Sequence, residues 1–375
     1  MILSRRIRLL PTREQEGLMW ESANIARYSY NWALGKQIEH FEITEKLNKI
    51  TDVDLRKEFT KFKNDSDNDK KHWLFSVSND IPKQAIKDLC KAIDRFYSES
   101  KKNGYKYRQS AIKSGRKLTF RDFEGFPRFK KKNKSEVSFY NDVVKLKVFD
   151  DCVCLAKIGK VKLAEKNKIP TDVKYINPRI KHDGKYWYIS VGFETENNLL
   201  ELTDNVIGID VGIKRLAVVS NIDKPFKNIN KSKEVKRLKK KKRRLQQKVS
   251  KKYLMNKQGN KFIKTKNIIK LEKKIKLVER RLSNIRNNHI HQTTNMIVKT
   301  KPSKIVVEDL NIKGMMKNKH LSKSIQEQKL YELIRQLEYK SKFNKIELIK
   351  ANRFYPSSKL CSCCGTIKRD LRLSD

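Results

Sequence analysis

Residues 206–221 read Val-Ile-Gly-Ile-Asp-Val-Gly-Ile-Lys-Arg-Leu-Ala-Val-Val-Ser-Asn, and no other stretch narrows the fold as much. Val206, Ile207 and Ile209 make a β-branched run, the pattern of a buried strand. Asp210 ends that run in an apolar setting. Gly212 with Lys214-Arg215 marks a turn, and Leu216 to Val219 a second strand. One carboxylate is therefore carried out of a sheet on the first strand of a hairpin. A buried carboxylate without a partner is costly, which leaves three uses: a metal ligand, a turn where backbone meets phosphate, or an Asp capping its own turn.

Charge narrows the choice of partner. The chain has 375 residues, enough for two or three domains, and 88 Lys+Arg against 42 Asp+Glu give a formal charge of +46. The excess runs along the whole length. A chain so charged repels itself unless a polyanion neutralises it, so nucleic acid is the expected partner and binding should weaken with salt. No run of 18 apolar residues is present, and the N-terminus Met-Ile-Leu-Ser-Arg-Arg lacks the apolar core of a signal peptide. No membrane partner is expected, and six cysteines are too few for a secreted disulfide scaffold of this length. The expected location is cytoplasmic, nucleoid-associated when bound.

Periodicity divides the chain. Met1 to Leu10 reads as a strand stopped by Pro11. Thr12-x-x-Gln15 is a capping box, and Met19, Ala23, Ala26, Tyr30 and Ala33 give the following helix one apolar face. A second helix is expected around Asp54–Lys63, and a third from Asp80 with Ala85, Leu89, Ala92 and Phe96 inward and Cys90 as a small core residue. After about residue 117 the period changes to two: Val144, Leu146 and Val148, then Val153 and Leu155, then Val161 and Leu163 predict strands. Asp183-Gly184 predicts a hairpin turn. Cys152 and Cys154 share one strand face and read as packing. The middle region predicts a small β-barrel that takes its first strand from the N-terminus, with the helices inserted between strands. Within it, Gly125-Phe-Pro-Arg-Phe-Lys-Lys-Lys132 interleaves Arg128, Lys130 and Lys131 with Phe126 and Phe129. Cations for phosphates beside rings for bases suit a nucleic-acid surface; a core edge with solvated lysines fits equally.

Residues 231–288 contain a near-continuous Lys/Arg run that includes Lys240, Lys241, Arg243 and Arg244. Leu271, Ile275, Val278, Leu282 and Ile285 then form a heptad seam. These predict a helical hairpin with a cationic outer face that contacts phosphates. Lys304-Ile-Val-Val-Glu308-Asp-Leu-Asn311 repeats the logic of the opening stretch, with a buried strand ending on an acid. If the two strands are neighbours, Asp210 and Glu308 can share a divalent metal, and Mg²⁺ suits such hard oxygen ligands. Residues 326–350 predict a helix and then a strand. The last segment carries Arg353, a further cationic contact, and Cys361-Ser-Cys-Cys364-Gly, where Cys361 and Cys364 make half of a structural Zn²⁺ site.

The order Ile-Gly-Ile-Asp210-Val-Gly, Val-Val-Glu308-Asp-Leu-Asn, Phe-Tyr-Pro-Ser-Ser-Lys-x-Cys361-Ser-x-Cys364-Gly resembles the TnpB family of insertion-sequence proteins, related to type V CRISPR effectors. The resemblance covers essentially the whole chain. It implies an α+β and α/β multidomain protein: a wedge-type β-barrel (1–10 and 117–203), a helical recognition insertion (11–116), an RNase H-like RuvC domain (204–351) with a basic helical hairpin (231–290), and a partial zinc ribbon (352–375). It implies an RNA-guided DNA endonuclease with a transposon-end guide RNA, a double-stranded DNA target, Mg²⁺-dependent hydrolysis by Asp210 and Glu308, and zinc on Cys361 and Cys364. The family continues past Asp375 with a second Cys pair and a third catalytic Asp, so an impaired catalytic site is expected in this chain. The alternatives are a guide-dependent DNA binder that does not cut and, more remotely, an actin-like ATPase or sugar kinase. The latter would need a second Gly-rich phosphate loop, which the sequence does not show.

Overall fold

Chain contacts divide the computed structural model into two units, Ile2–Thr195 and Met1 with Glu196–Asp375. It describes residues 1–44, 48–65, 69–132, 136–196, 201–352, 360, 364 and 366–368.

The first unit begins with strand β1 (Ile2–Leu10), followed by helices α1 (Arg13–Thr44), α2 (Asp52–Asn64), α3 (Asp80–Asn103) and the single turn α4 (Gln109–Ile112). Strands β2 (Val137–Tyr140), β3 (Lys147–Val148), β4 (Cys152–Leu155), β5 (Gly159–Leu163), β6 (Tyr175–His182) and β7 (Trp187–Glu194) complete it. The seven strands run in the order β2-β6-β7-β1-β5-β4-β3, all neighbours antiparallel. β1 lies at the centre, pairing Ile2–Arg8 with β7 and Leu9 and Leu10 with β5. The helices thus lie in sequence between two strands of one sheet. The expected barrel is instead an open ladder: β2 and β3 are its edges, and no pairing joins them among the described residues.

Local chemistry sets these elements. Thr12 and Gln15 form the capping box of α1, with Gln15 N donating to Thr12 Oγ1 at 3.3 Å and Thr12 N to Gln15 Oε1 at 3.1 Å. Met19, Ala23, Tyr30 and Ala33 are buried on its inner face, while Ala26 is half-buried. On α3 the buried stripe includes Ala85, Leu89, Ile93 and Phe96, so Ile93 takes the place expected of Ala92. Cys90 is buried, and burial pushes its thiol up to about 11. Asp183 Oδ1 accepts from the backbone N–H groups of Lys185 and Tyr186, both at 3.0 Å, closing the expected β6–β7 turn over Gly184 at φ 94°. Val144 is not in a strand: Asp142 Oδ1 accepts from its N–H at 2.9 Å, a local turn that leaves it 89% exposed. Val153 and Leu155 face the core, which turns Cys152 and Cys154 to the other face as half-buried free thiols.

The second unit holds β8 (Thr203–Val211), β9 (Arg215–Val219), β10 (Ile222–Lys227), α5 (Lys233–Met255), the paired strands β11 (Lys257–Gln258) and β12 (Lys261–Phe262), and α6 (Lys266–Lys299). It continues through β13 (Pro302–Glu308), α7 (Ile312–Met315), α8 (Ser322–Gln328), α9 (Leu330–Phe343) and β14 (Glu347–Ala351). Its main sheet has the order β10-β9-β8-β13-β14, antiparallel through β10, β9 and β8, with β13 parallel to both β8 and β14. One face is the core: Ile207, Ile209 and Val211 of β8 and Ile305 and Val307 of β13 cluster with residues of α6 and α9, such as Ile297 and Leu333. α5 and α6 form a hairpin with a separate small core of Val235, Leu238, Val278 and Leu282.

Candidate active site and cationic surfaces

Register brings the two acidic positions together. β8 and β13 pair in parallel, and the last pair is Ile209 with Val307. The next residue on each strand is Asp210 and Glu308, at the C-terminal ends of neighbours whose spacing is about 4.8 Å. Ile209 and Val307 are buried in the core, so alternation sends Asp210 and Glu308 to the opposite face. The row continues on both sides, since Asp210 lies opposite Val218 and Glu308 opposite Ala351.

That face is open among the described residues. Val206 is 57% exposed, Asp210 is exposed and Glu308 half-buried. A side chain added at Gly208, two residues before Asp210, would meet no atom within 4 Å. Asp210 has no hydrogen-bonding or ionic partner among the described residues, so it does not cap its own turn. No group of three or more His, Cys, Asp or Glu side chains among the described residues could hold a metal ion.

The strand end beyond Asp210 is held from outside. Buried Gln328, at the end of α8, donates from Nε2 to Gly212 O at 3.1 Å, and Asn228 Nδ2 donates to Ile213 O at 2.7 Å. Asn230 Nδ2 donates to Gln328 Oε1 at 3.3 Å, and Arg286 Nε to Asn230 Oδ1 at 2.8 Å. Arg286 and Lys239 both pair with Glu327. A polar chain therefore runs from the Asp210 turn to the root of the α5–α6 hairpin. Sequence reading missed these residues, and no motif marks them, because Gln328 meets a carbonyl 116 residues away.

The expected nucleic-acid residues divide. Arg128 and Lys131 are exposed and line a cleft of about 580 Å³ with Ile38, Arg108, Arg121 and Pro127. Every ionisable group lining it is cationic. Phe129 is 44% exposed there, whereas Phe126 is in the core. Lys130 is not a solvated cation. Asn31 brackets its backbone with bonds of 2.7 and 3.0 Å, its ammonium lies 3.7 Å from the centre of the Tyr30 ring, and burial lowers its pKa against the pull of Asp88. Lys240, Lys241, Arg243 and Arg244 are exposed on α5, where Val235 and Leu238 face inward. Cys364 is an exposed thiol whose Sγ lies 3.2 Å from Thr366 Oγ1, and Leu360 bridges Ile367 across it. Arg353 and Cys361 lie outside the described residues.

Family models cover most of this path. One described as "Probable transposase" (OrfB_IS605) matches residues 189–319, a "Helix-turn-helix domain" (HTH_OrfB_IS605) residues 1–46, and a "Cas12f1-like, TNB domain" residues 331–374. In this protein the second of these is a strand and one uninterrupted helix, Arg13–Thr44, with no turn inside it. The "Putative RNA-guided DNA endonuclease InsQ" of Escherichia coli (strain K12) is 27% identical over 387 residues, covering 98% of this chain and 85% of that protein. A "Putative RNA-guided DNA endonuclease" of Streptomyces pristinaespiralis is 24% identical over 380 residues, covering 98% and 82%. A solved Cas12f1–sgRNA–target DNA complex matches at a TM-score of 0.44 and 14% identity, covering 100% of this chain and 93% of that one. The matched models follow one another along the chain in the order of its own motifs: the chain carries OrfB/IS605-type transposase and Cas12f1-like domains and is similar over nearly its whole length to TnpB-type proteins.

Proposed function

We propose that the protein is an RNA-guided DNA endonuclease of a transposable element, with Asp210 and Glu308 as its catalytic carboxylates. One observation carries the reading: the parallel β8–β13 register puts two acids side by side on an open sheet face, at the strand ends where ligands of open α/β sheets gather. The donor set is all oxygen and accessible, which fits Mg²⁺. Bound there, Mg²⁺ would polarise a phosphodiester and activate a water for in-line attack.

The remaining work falls to the chain. β8 and β13 hold the two carboxylates at one level. Gln328 and Asn228 fix the turn beyond Asp210, and the space over Gly208 leaves room for a substrate backbone. Arg128, Lys131 and the α5 row Lys240, Lys241, Arg243 and Arg244 supply positive charge for phosphates of a transposon-end guide RNA and a double-stranded DNA target. Base pairing then supplies the sequence choice. The names of the relatives and the +46 charge support this assignment. Cys361 and Cys364 are proposed as structural Zn²⁺ ligands, supported by their Cys-x-x-Cys spacing. The cytoplasm, on nucleoid DNA, is its place of work in this reading.

The test is cleavage of a plasmid carrying the guide-matched target by the full chain with co-expressed transposon-end RNA and Mg²⁺. Any cutting should depend on both acids, with Asp210→Ala or Glu308→Gln lowering it roughly 10²–10³-fold or more. Guide-dependent binding with no cutting would replace the nuclease by a targeted DNA binder.

A further inference from the structure

The outer end of the α5–α6 hairpin departs from its root. The heptad seam closes at Val278 and Leu282, with Ile285 packed against them, but Leu271 does not join that core. It lines instead, with Met255, a cleft of about 500 Å³ between the two helices. Five lysines line this cleft: Lys248, Lys251 and Lys252 from α5, Lys270 and Lys274 from α6. None has an acidic partner among the described residues. Only three carboxylates occur between Lys233 and Lys299, and all are engaged: Glu234 by Arg281, Glu279 by Lys242, and Glu272 by Lys264 and the Tyr253 hydroxyl.

Beside the cleft the tip is apolar. Leu254, Met255, Phe262, Ile263 and Ile269 are all exposed, Met255 to 83% and Phe262 to 54%. The Tyr253 ring meets that of Phe262 edge-on at 6.3 Å and leaves the Phe262 ring largely open. An exposed apolar cluster ringed by unpaired lysines does not suit a second copy of this chain, because like charges would be brought together. It suits a polyanion with bare ring faces. Paired bases hide those faces inside the stack, whereas RNA loops and bulges present them as their ordinary state.

We propose that the hairpin tip binds an unpaired stretch of RNA, with phosphates on the Lys248–Lys252 and Lys270–Lys274 walls and a base against Phe262 and Met255. The choice of RNA rests on the function proposed above. The site contains neither Asp210 nor Glu308, so binding here and cutting there fail separately.

The experiment uses the full chain with a labelled RNA stem-loop, the same RNA as a blunt duplex, and single-stranded DNA of the loop sequence, with 2-aminopurine in the loop reporting stacking. The stem-loop should bind at least about tenfold more tightly than the blunt duplex, and its 2-aminopurine should be quenched. Phe262→Ala should weaken binding about tenfold and abolish the quenching, and Phe262→Trp should restore both. Lys251→Ala with Lys270→Ala should lower the slope of log affinity against log salt by roughly 0.7 for each phosphate that is no longer neutralised. Equal binding of the duplex, tighter binding of the DNA strand, unchanged quenching in Phe262→Ala, or self-association through the tip in sedimentation would each overturn the proposal. Circular dichroism of the variants separates loss of binding from loss of fold, and stem-loop binding by Asp210→Ala, which leaves the tip residues unchanged, should equal that of the unaltered chain, so the tip is read without any contribution from cutting.

Discussion

Asp88 illustrates how a single side chain here depends on its partner. Burial pushes its carboxyl up, but hydrogen bonds from Arg179, at 2.7 and 2.8 Å, and from Gln84 outweigh burial and leave it below its ordinary value. A carboxyl depressed in the folded state adds stability that is fully present above its unfolded pKa, about 3.9, and is lost as pH falls through the folded value. Arg179→Ala removes both bonds from a half-buried carboxylate and should cost about 2 kcal/mol at pH 7. Denaturant unfolding at pH 7 and at pH 3 checks this: the deficit should be present at the first and shrink at the second. Lys130 gives the complementary lesson. Its place in a basic run marks a phosphate contact in the sequence, yet Asn31 and Tyr30 tie it into the packing. A charge pattern cannot reveal which cation will meet a ring from a helix 100 residues earlier.

Among elements, the α5–α6 hairpin is one whose pattern is simpler than its packing. The heptad repeat runs evenly from Leu271 to Ile285, but only its inner half is buried, because Val235 and Leu238 of α5 face it there and lysines face it farther out. The two halves should answer differently to the same truncation. Leu282→Ala should cost about 2–4 kcal/mol of hairpin stability, and Leu271→Ala under about 1 kcal/mol. Hydrogen exchange of α5 and α6 amides measures both; equal losses would mean that the seam is continuous after all. The mixed sheet gives a second example at this scale. The opening hairpin and the strand ending on Glu308 are legible from β-branched runs and turn residues. That they are parallel neighbours in register is settled by α6, which returns the chain to the open edge of β8.

At the scale of the molecule, charge dominates. With +46 spread over two units, several phosphate contacts should form at once, each releasing counterions. For six to ten such contacts, RNA affinity should fall roughly 10³–10⁵-fold between 50 and 200 mM salt. Filter binding across a KCl series tests this, and a flat response would mean that the lysines are engaged in internal pairs.

By itself the sequence determined the alternation of strand and helix, the caps, the isolation of Asp210 and Glu308 at the ends of apolar runs, and the order of motifs that marks the family. These are local properties, fixed by side-chain shape and hydrogen bonding within a few residues. Tertiary structure alone decided that the first sheet stays an open ladder, that Lys130 is packed while Arg128 remains free, that Gln328 holds the turn beyond Asp210, and that the lysine cleft lies at the hairpin tip. Each of these depends on which distant surface closes over a side chain, and burial, unlike periodicity, is not written in the neighbouring residues.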